Sequence, residues 1–117
     1  METMSGRLVR LVEDEYFIVD DLVREFEARG AEVVGPVASV EGALGLIAAT
    51  ERIDGAVLDV NLQGEMAYPV ADALAARGVP FVFATSYDEA SIPTRYAHVT
   101  RCEKPVDPKK IGRALFG

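Results

Sequence analysis

Short apolar runs alternate with amphipathic helical stretches along almost the whole chain, and this constrains the fold more than any other feature. "RLVRLV" (Arg7 to Val12) reads as a strand. "EYFIVDDLVREFEARG" follows, with Ile18, Val19, Leu22, Val23 and Phe26 forming one apolar helical stripe and Gly30 a stop. "AEVVGPVA" is a second strand, and Pro36, lacking a backbone donor, places it at a sheet edge. Ser39 suits a helix N-cap, with Val40, Ala43, Leu44 and Ile47 as the inward stripe. "DGAVLDV" is a third strand whose continuous apolar run predicts burial on both faces. A third helix is expected over Tyr68 to Arg77, with Pro69 in its first turn and Gly78 at its end. "VPFVFAT" is the fourth strand.

Pro93 interrupts the next segment, "SYDEASIPTRYAHV", so a short or irregular fourth helix is expected. "HVTRCEK" reads as a fifth, more polar edge strand. Asp107 and Pro108 then cap a last helix whose Ile111, Ala114 and Leu115 should face inward. Five strands and about five helices in alternation predict a single α/β domain spanning residues 1–117, a parallel sheet with helices on both faces. No low-complexity segment, repeat, membrane-length apolar run or secretory leader is visible. With 117 residues, half of them apolar, a packed globule is expected. A formal net charge of −7 argues against direct nucleic-acid binding, and the single cysteine fits a reducing cytoplasm.

Sheets of this kind bind ligands at the carboxyl ends of their strands. Those ends carry a consistent set. Strand one runs into Glu13 and Asp14, strand three ends at Asp59, strand four at Thr85, and strand five reaches Lys104. Carboxylates brought close together repel, and a hard cation such as Mg²⁺ relieves the repulsion. A carboxylate can attack phosphorus to give an aspartyl phosphate, with Lys104 and a metal balancing the charge and Thr85 donating a hydrogen bond. Each residue alone has a plainer explanation: a helix dipole, a loop cap, a strand hydroxyl or a solvated lysine. Four complementary strand ends together favour function. His98, the lone histidine, offers no metal site or triad, and Cys102 is expected to be a buried structural thiol.

"LVEDE", "AVLDVNL", "FAT" and "EKP", in that order and spacing, resemble the receiver domain of two-component response regulators over about Arg7 to Phe116. The resemblance implies a flavodoxin-like, doubly wound five-stranded parallel sheet in the order 2-1-3-4-5. It implies Asp59 as the phosphoacceptor for a sensor histidine kinase or histidine phosphotransfer protein. Asp14 becomes the main Mg²⁺ ligand, assisted by Glu13 and Asp59, with the backbone carbonyl of Asn61 also on the metal. Thr85 becomes the switch hydroxyl and Lys104 the phosphate-binding lysine, with Lys104–Pro105 a cis candidate. Such a module is not an enzyme beyond assisting its own phosphorylation and dephosphorylation. It is expected to act as a monomer or weak homodimer, away from membranes; with no output domain after Gly117, its output is expected through contact with a downstream protein partner or as a phosphate sink.

Two departures stand out. The position that carries an aromatic switch in these domains, three before the lysine, is Arg101 here. "PFVFATSYD" is similar to short stand-alone receivers with a Phe-Ala-Thr-Gly-x-Tyr motif, but Ser86 replaces the glycine and the aromatic is Tyr87. The loop around Tyr87 is expected to stand in for the missing ring. The alternatives are a receiver-like interaction module without phosphorylation, and a haloacid-dehalogenase-type phosphatase. Against the second, the Asp59-Val60-Asn61 stretch lies mid-chain with no cap insertion.

Overall fold

The computed structural model describes residues 6–13, 16–62, 65–85, 92–103 and 107–116, and side chains of the first helix from residue 20 onward. Five strands form one parallel sheet: β1 (Leu8–Val12), β2 (Glu32–Val37), β3 (Gly55–Asp59), β6 (Phe81–Thr85) and β7 (Arg101–Glu103), in the order β2-β1-β3-β6-β7. Counted on the sheet's own strands, this is 2-1-3-4-5. The four described α-helices are α1 (Tyr16–Ala28), α2 (Val40–Ala49), α3 (Tyr68–Ala76) and α4 (Pro108–Phe116). The fold is the flavodoxin-like α/β arrangement.

Local chemistry sets the element ends. The Ser39 hydroxyl accepts from the Gly42 N–H at 3.1 Å and caps α2. Asp107 caps α4, accepting from the Lys109 N–H at 3.0 Å, with Pro108 as the first helical residue. Both α1 and α3 end in the same paired backbone motif. Ala31 donates to the Phe26 carbonyl and Gly30 to Glu27; Val79 donates to Leu74 and Gly78 to Ala75, all at 3.0 Å. Gly30 and Gly78 supply the left-handed residue this motif needs, at φ 91° and 69°.

The sheet divides two cores. On one face, Val9, Leu11, Val57 and Val82 pack against Leu22 and Phe26 of α1 and Ile111 and Leu115 of α4. On the other, Val12, Ala56, Leu58 and Phe83 meet α2 and α3 through residues such as Ile47 and Leu74. β3, in the middle, is buried along its whole length, as its apolar run predicts. β2 lies at an edge, in keeping with Pro36, and β7 at the other. The Gly35–Pro36 peptide is cis, where the β1–β2 register shifts.

Several details depart from the sequence reading. Ala114 is exposed; Gly112 takes the buried position beside Ile111 instead, because the helix is only partly covered. β7 is three residues long rather than seven, since the chain at Ala97–Thr100 still turns and bends. Four helices and one 3-10 turn, Thr94–Tyr96, are described; residues 86–91 of the segment expected to hold a short or irregular fourth helix lie outside the described residues. A two-stranded antiparallel ribbon follows β3: β4 (Asn61–Leu62) and β5 (Glu65–Met66) pair Asn61 with Met66 and Leu62 with Glu65. The sequence suggests only a turn there.

Arg10 is the least expected member of the core. It points from β1 into the α2–α3 side and is only 3% exposed. Its Nη2 donates to the Thr50 hydroxyl at 3.0 Å, and the Thr50 hydroxyl donates to the Leu46 carbonyl. Burial lowers its pKa from the usual arginine value. Arg77, from the end of α3, also reaches the carbonyl end of α2, donating to Ile47 and, at 2.8 Å, to Glu51. Two cations thus sit at the negative end of the α2 dipole.

Candidate functional site at the carboxyl edge of the sheet

Register fixes which strand ends are neighbours. Val12 pairs with Leu58, and Leu58 with Phe83. Glu13, one residue past Val12, therefore lies beside Asp59. Asp59 pairs with Ala84, and Thr85, one step further, pairs with Glu103. Glu13, Asp59 and Thr85 are all buried, at 2%, 3% and 1% exposure. Three strands that pair side by side deliver two carboxylates and a hydroxyl to one edge.

Backbone bonds hold these groups in place. The Glu13 N–H donates to the Val37 carbonyl at 3.0 Å, tying the end of β1 to the end of β2. Asp59 Oδ1 accepts from the Asn61 N–H at 3.1 Å, a two-residue turn closed by the acid itself. That turn leads into β4, and the Ala67 N–H closes back on the Val60 carbonyl at 2.8 Å. The short ribbon therefore starts at the acid and returns to it before α3 begins.

Two buried carboxylates on adjacent strands are costly to desolvate, and each extra negative group raises that cost. A hard cation or a bound phosphoryl with its counter-charges suits such an edge. The donor set, carboxylate and carbonyl oxygens without sulfur or imidazole, fits Mg²⁺ or Ca²⁺ better than zinc. Among the described residues, no group of three or more His, Cys, Asp or Glu side chains is placed to hold a metal ion. The third acid expected at the site, Asp14, lies outside the described residues, as do Lys104, the Lys104–Pro105 bond and Tyr87.

Below this edge lies a group of rings that strand patterning alone did not single out. Phe83, two residues before Thr85, stands edge-on to Tyr68 of α3 and to Tyr96 of the 3-10 turn, at 6.3 and 5.7 Å. Tyr68 and Tyr96 stack at 5.9 Å, and Phe81 completes the group. The Tyr96 hydroxyl donates to the Tyr68 carbonyl at 3.4 Å. Arg95 lies over the Tyr96 ring and bridges to Asp72 of α3. The alternating Phe81 and Phe83 of "VPFVFAT" were the available signal for an aromatic layer on one face. Cys102 is buried against α4, and burial pushes its thiol pKa up, as for a structural residue. His98 is exposed.

No family model and no curated protein matches this chain. Solved structures do. SdrG from Sphingomonas melonis Fr1 is 38% identical, with a TM-score of 0.80, covering 98% of this chain and 96% of that one. The BeF3-activated conformation of SdrG, from Pseudomonas melonis Fr1, is also 38% identical, at TM-score 0.76 and 95% and 94% coverage. The receiver domain of the hybrid histidine kinase CckA is 28% identical, at TM-score 0.69 and 91% and 93% coverage. A Burkholderia pseudomallei response regulator with a phosphorylated aspartic acid and a calcium ion shares the fold, at 20% identity and TM-score 0.78, over 94% of this chain and 66% of that one. With a relative of such identity matched almost end to end, the chain belongs to the response regulator receiver domains.

Proposed function

We propose that residues 1–117 act as one receiver unit of a two-component or phosphorelay system, with Asp59 as the phosphoacceptor. The observation that carries this is the burial of Glu13 and Asp59 side by side, one step from Thr85, at the carboxyl edge of the sheet. An Asp59 carboxylate oxygen attacks the phosphorus of a phosphohistidine on a sensor kinase or phosphotransfer protein. The new P–O bond forms as the P–N bond breaks, and its electrons return to the imidazole nitrogen. Water later attacks the acyl phosphate and restores the carboxylate.

Glu13, Asp14, Asp59 and the Asn61 carbonyl would hold Mg²⁺. When bound, the ion supplies positive charge to the phosphoryl oxygens. Support for a divalent ion comes from the donor chemistry and from the calcium in the Burkholderia relative. Thr85 donates its hydroxyl to a phosphoryl oxygen, and Lys104 holds another. The Asn61 N–H keeps the Asp59 carboxylate aimed. Acting on its own Asp59, the chain turns over no separate substrate, and its output is a changed set of contacts with a protein partner. None of its described helices is long and apolar enough to cross a membrane; a cytoplasmic site of action fits a kinase partner.

Incubation with Mg²⁺ and acetyl phosphate tests this. The intact mass should rise by one phosphoryl group in the wild type and stay unchanged in Asp59→Ala. If wild type gains none, from acetyl phosphate or a competent kinase, the chain is a receiver-like interaction module.

A further inference from the structure

We propose that Met66, exposed on the β4–β5 ribbon, is an apolar contact by which this receiver selects its protein phosphodonor. This rests on Asp59 being the phosphoacceptor. Among the described residues, only two large apolar side chains are exposed, Leu46 at 41% and Met66 at 42%. Leu46 lies in the last turns of α2, whose end leads back to the start of β3, away from the carboxyl edge.

Met66, by contrast, is held at that edge. The Asp59 carboxylate accepts from the Asn61 N–H, and Asn61 pairs across the ribbon with Met66. The next residue, Ala67, donates to the Val60 carbonyl. The ribbon is itself anchored, since Leu62 and Ala67 are buried in the core under α2 and α3. Two residues of chain and one cross-strand pair separate Met66 from Asp59, so their Cα atoms lie within about 12 Å. An exposed thioether chain therefore stands on a fixed mount beside the reacting carboxylate.

That separation decides what covers Met66. Asp59 is buried, so a phosphohistidine reaches it only by coming down on the carboxyl edge, to about 3–3.5 Å between reacting atoms. A specific protein contact buries about 800 Å² on each partner, a disc of about 16 Å radius. Even a transient contact of about 600 Å² a side spans about 14 Å. Centred on Asp59, either footprint takes in Met66. A small donor such as acetyl phosphate makes no such footprint.

The chemistry of the contact follows. The described acids at this edge are Glu13, Asp59 and Glu65, and a donor arriving with a phosphoryl group is anionic there. Apolar burial adds affinity without meeting that repulsion. Methionine, unbranched and polarisable, fits an irregular apolar surface, and its fixed mount leaves little else to be ordered on docking. The partner is thus a donor whose phosphohistidine is bordered by apolar side chains. A donor with a charged border at that place is rejected, because docking buries the charge against a thioether.

The test measures phosphoryl transfer from a purified histidine kinase, autophosphorylated with radiolabelled ATP and chosen from a panel as the one that transfers fastest to the wild type. Acetyl phosphate with Mg²⁺ is the second donor. Met66→Asp should raise the receiver concentration for half-maximal transfer from the kinase about tenfold, with the maximal rate little changed. Its rate with acetyl phosphate should stay within about twofold of wild type. Met66→Leu should restore most of the kinase dependence, and Leu46→Asp should leave transfer from both donors unchanged. Met66→Asp with the wild-type kinase dependence would overturn the proposal. So would an equal loss with acetyl phosphate, which makes Met66 a support for the site, or a wild type that acetyl phosphate phosphorylates and no kinase of the panel does. A wild type that gains no phosphoryl group from either donor overturns the phosphoacceptor assignment of Asp59 instead.

Discussion

The two faces of the sheet are built from the same five strands and solve different problems. Under α1 and α4 the packing beneath the carboxyl edge is apolar: Leu11, Leu22, Phe26, Val57, Ile111 and Leu115 interdigitate. Under α2 and α3 the same strands bury Arg10 and Thr85 and enclose two tyrosines. The first face has one good arrangement, set by volume. The second is joined by hydrogen bonds, ring contacts and a cation on a ring, each individually modest and open to rearrangement. Volume fixes the packing of one side, and polar and ring contacts join the other.

Substitutions can break that contrast. The largest effect is expected at Phe26, fully buried on the apolar face. Phe26→Ala should lose about 3–5 kcal/mol in urea unfolding. Tyr96→Leu, on the other face, keeps most of the volume but loses the ring pairs and the hydroxyl bond, about 1–3 kcal/mol in all. Its amide exchange should quicken mainly over Ile92 to Val99. If it unfolds the protein as severely as Phe26→Ala, the two faces are not distinct.

Ser39→Ala should cost about 1 kcal/mol, through the lost α2 cap, in the same urea assay. Arg10→Met should lie within about 1 kcal/mol of wild type, because removing a desolvated charge offsets the lost bond to Thr50. A large loss there would make Arg10 a structural keystone.

The smallest effect belongs to the amino end of the sheet. The Leu8 N–H holds the Asp54 carboxyl below its usual pKa, aided by the Arg52 guanidinium 2.7 Å away. A lowered folded-state pKa adds stability above the unfolded value, near pH 4, and that stability is lost as pH falls through the lowered one. Wild type and Asp54→Asn should therefore differ modestly at neutral pH and converge in acid unfolding.

Much of this architecture can be read residue by residue. Pro36 signals an edge, Ser39 and Asp107 signal helix starts, and Gly30 and Gly78 signal stops. All of these act within a few positions of themselves, so local sequence suffices. The grouping of Glu13, Asp59 and Thr85 follows because a parallel sheet brings its strand ends to one side. Arg10 was not legible: in "RLVRLV" nothing local says that both faces of the strand will be covered. The β4–β5 ribbon follows a turn closed by Asp59 and has no strand pattern of its own in the sequence. The pairing of Arg101 with Phe83, and the stacking of Tyr68 on Tyr96, depend on register between segments far apart in the chain.

The Tyr68–Tyr96 stack has an optical consequence. The chain contains no tryptophan and four tyrosines. Two of them, the half-buried Tyr68 and the buried Tyr96, lie nearly parallel, 17° apart in plane, in a chiral setting. Their near-ultraviolet transitions couple, so the pair should dominate the near-ultraviolet circular dichroism of the folded protein. The molecule thus carries its own chromophore where the Thr94–Tyr96 turn meets α3, readable without any label.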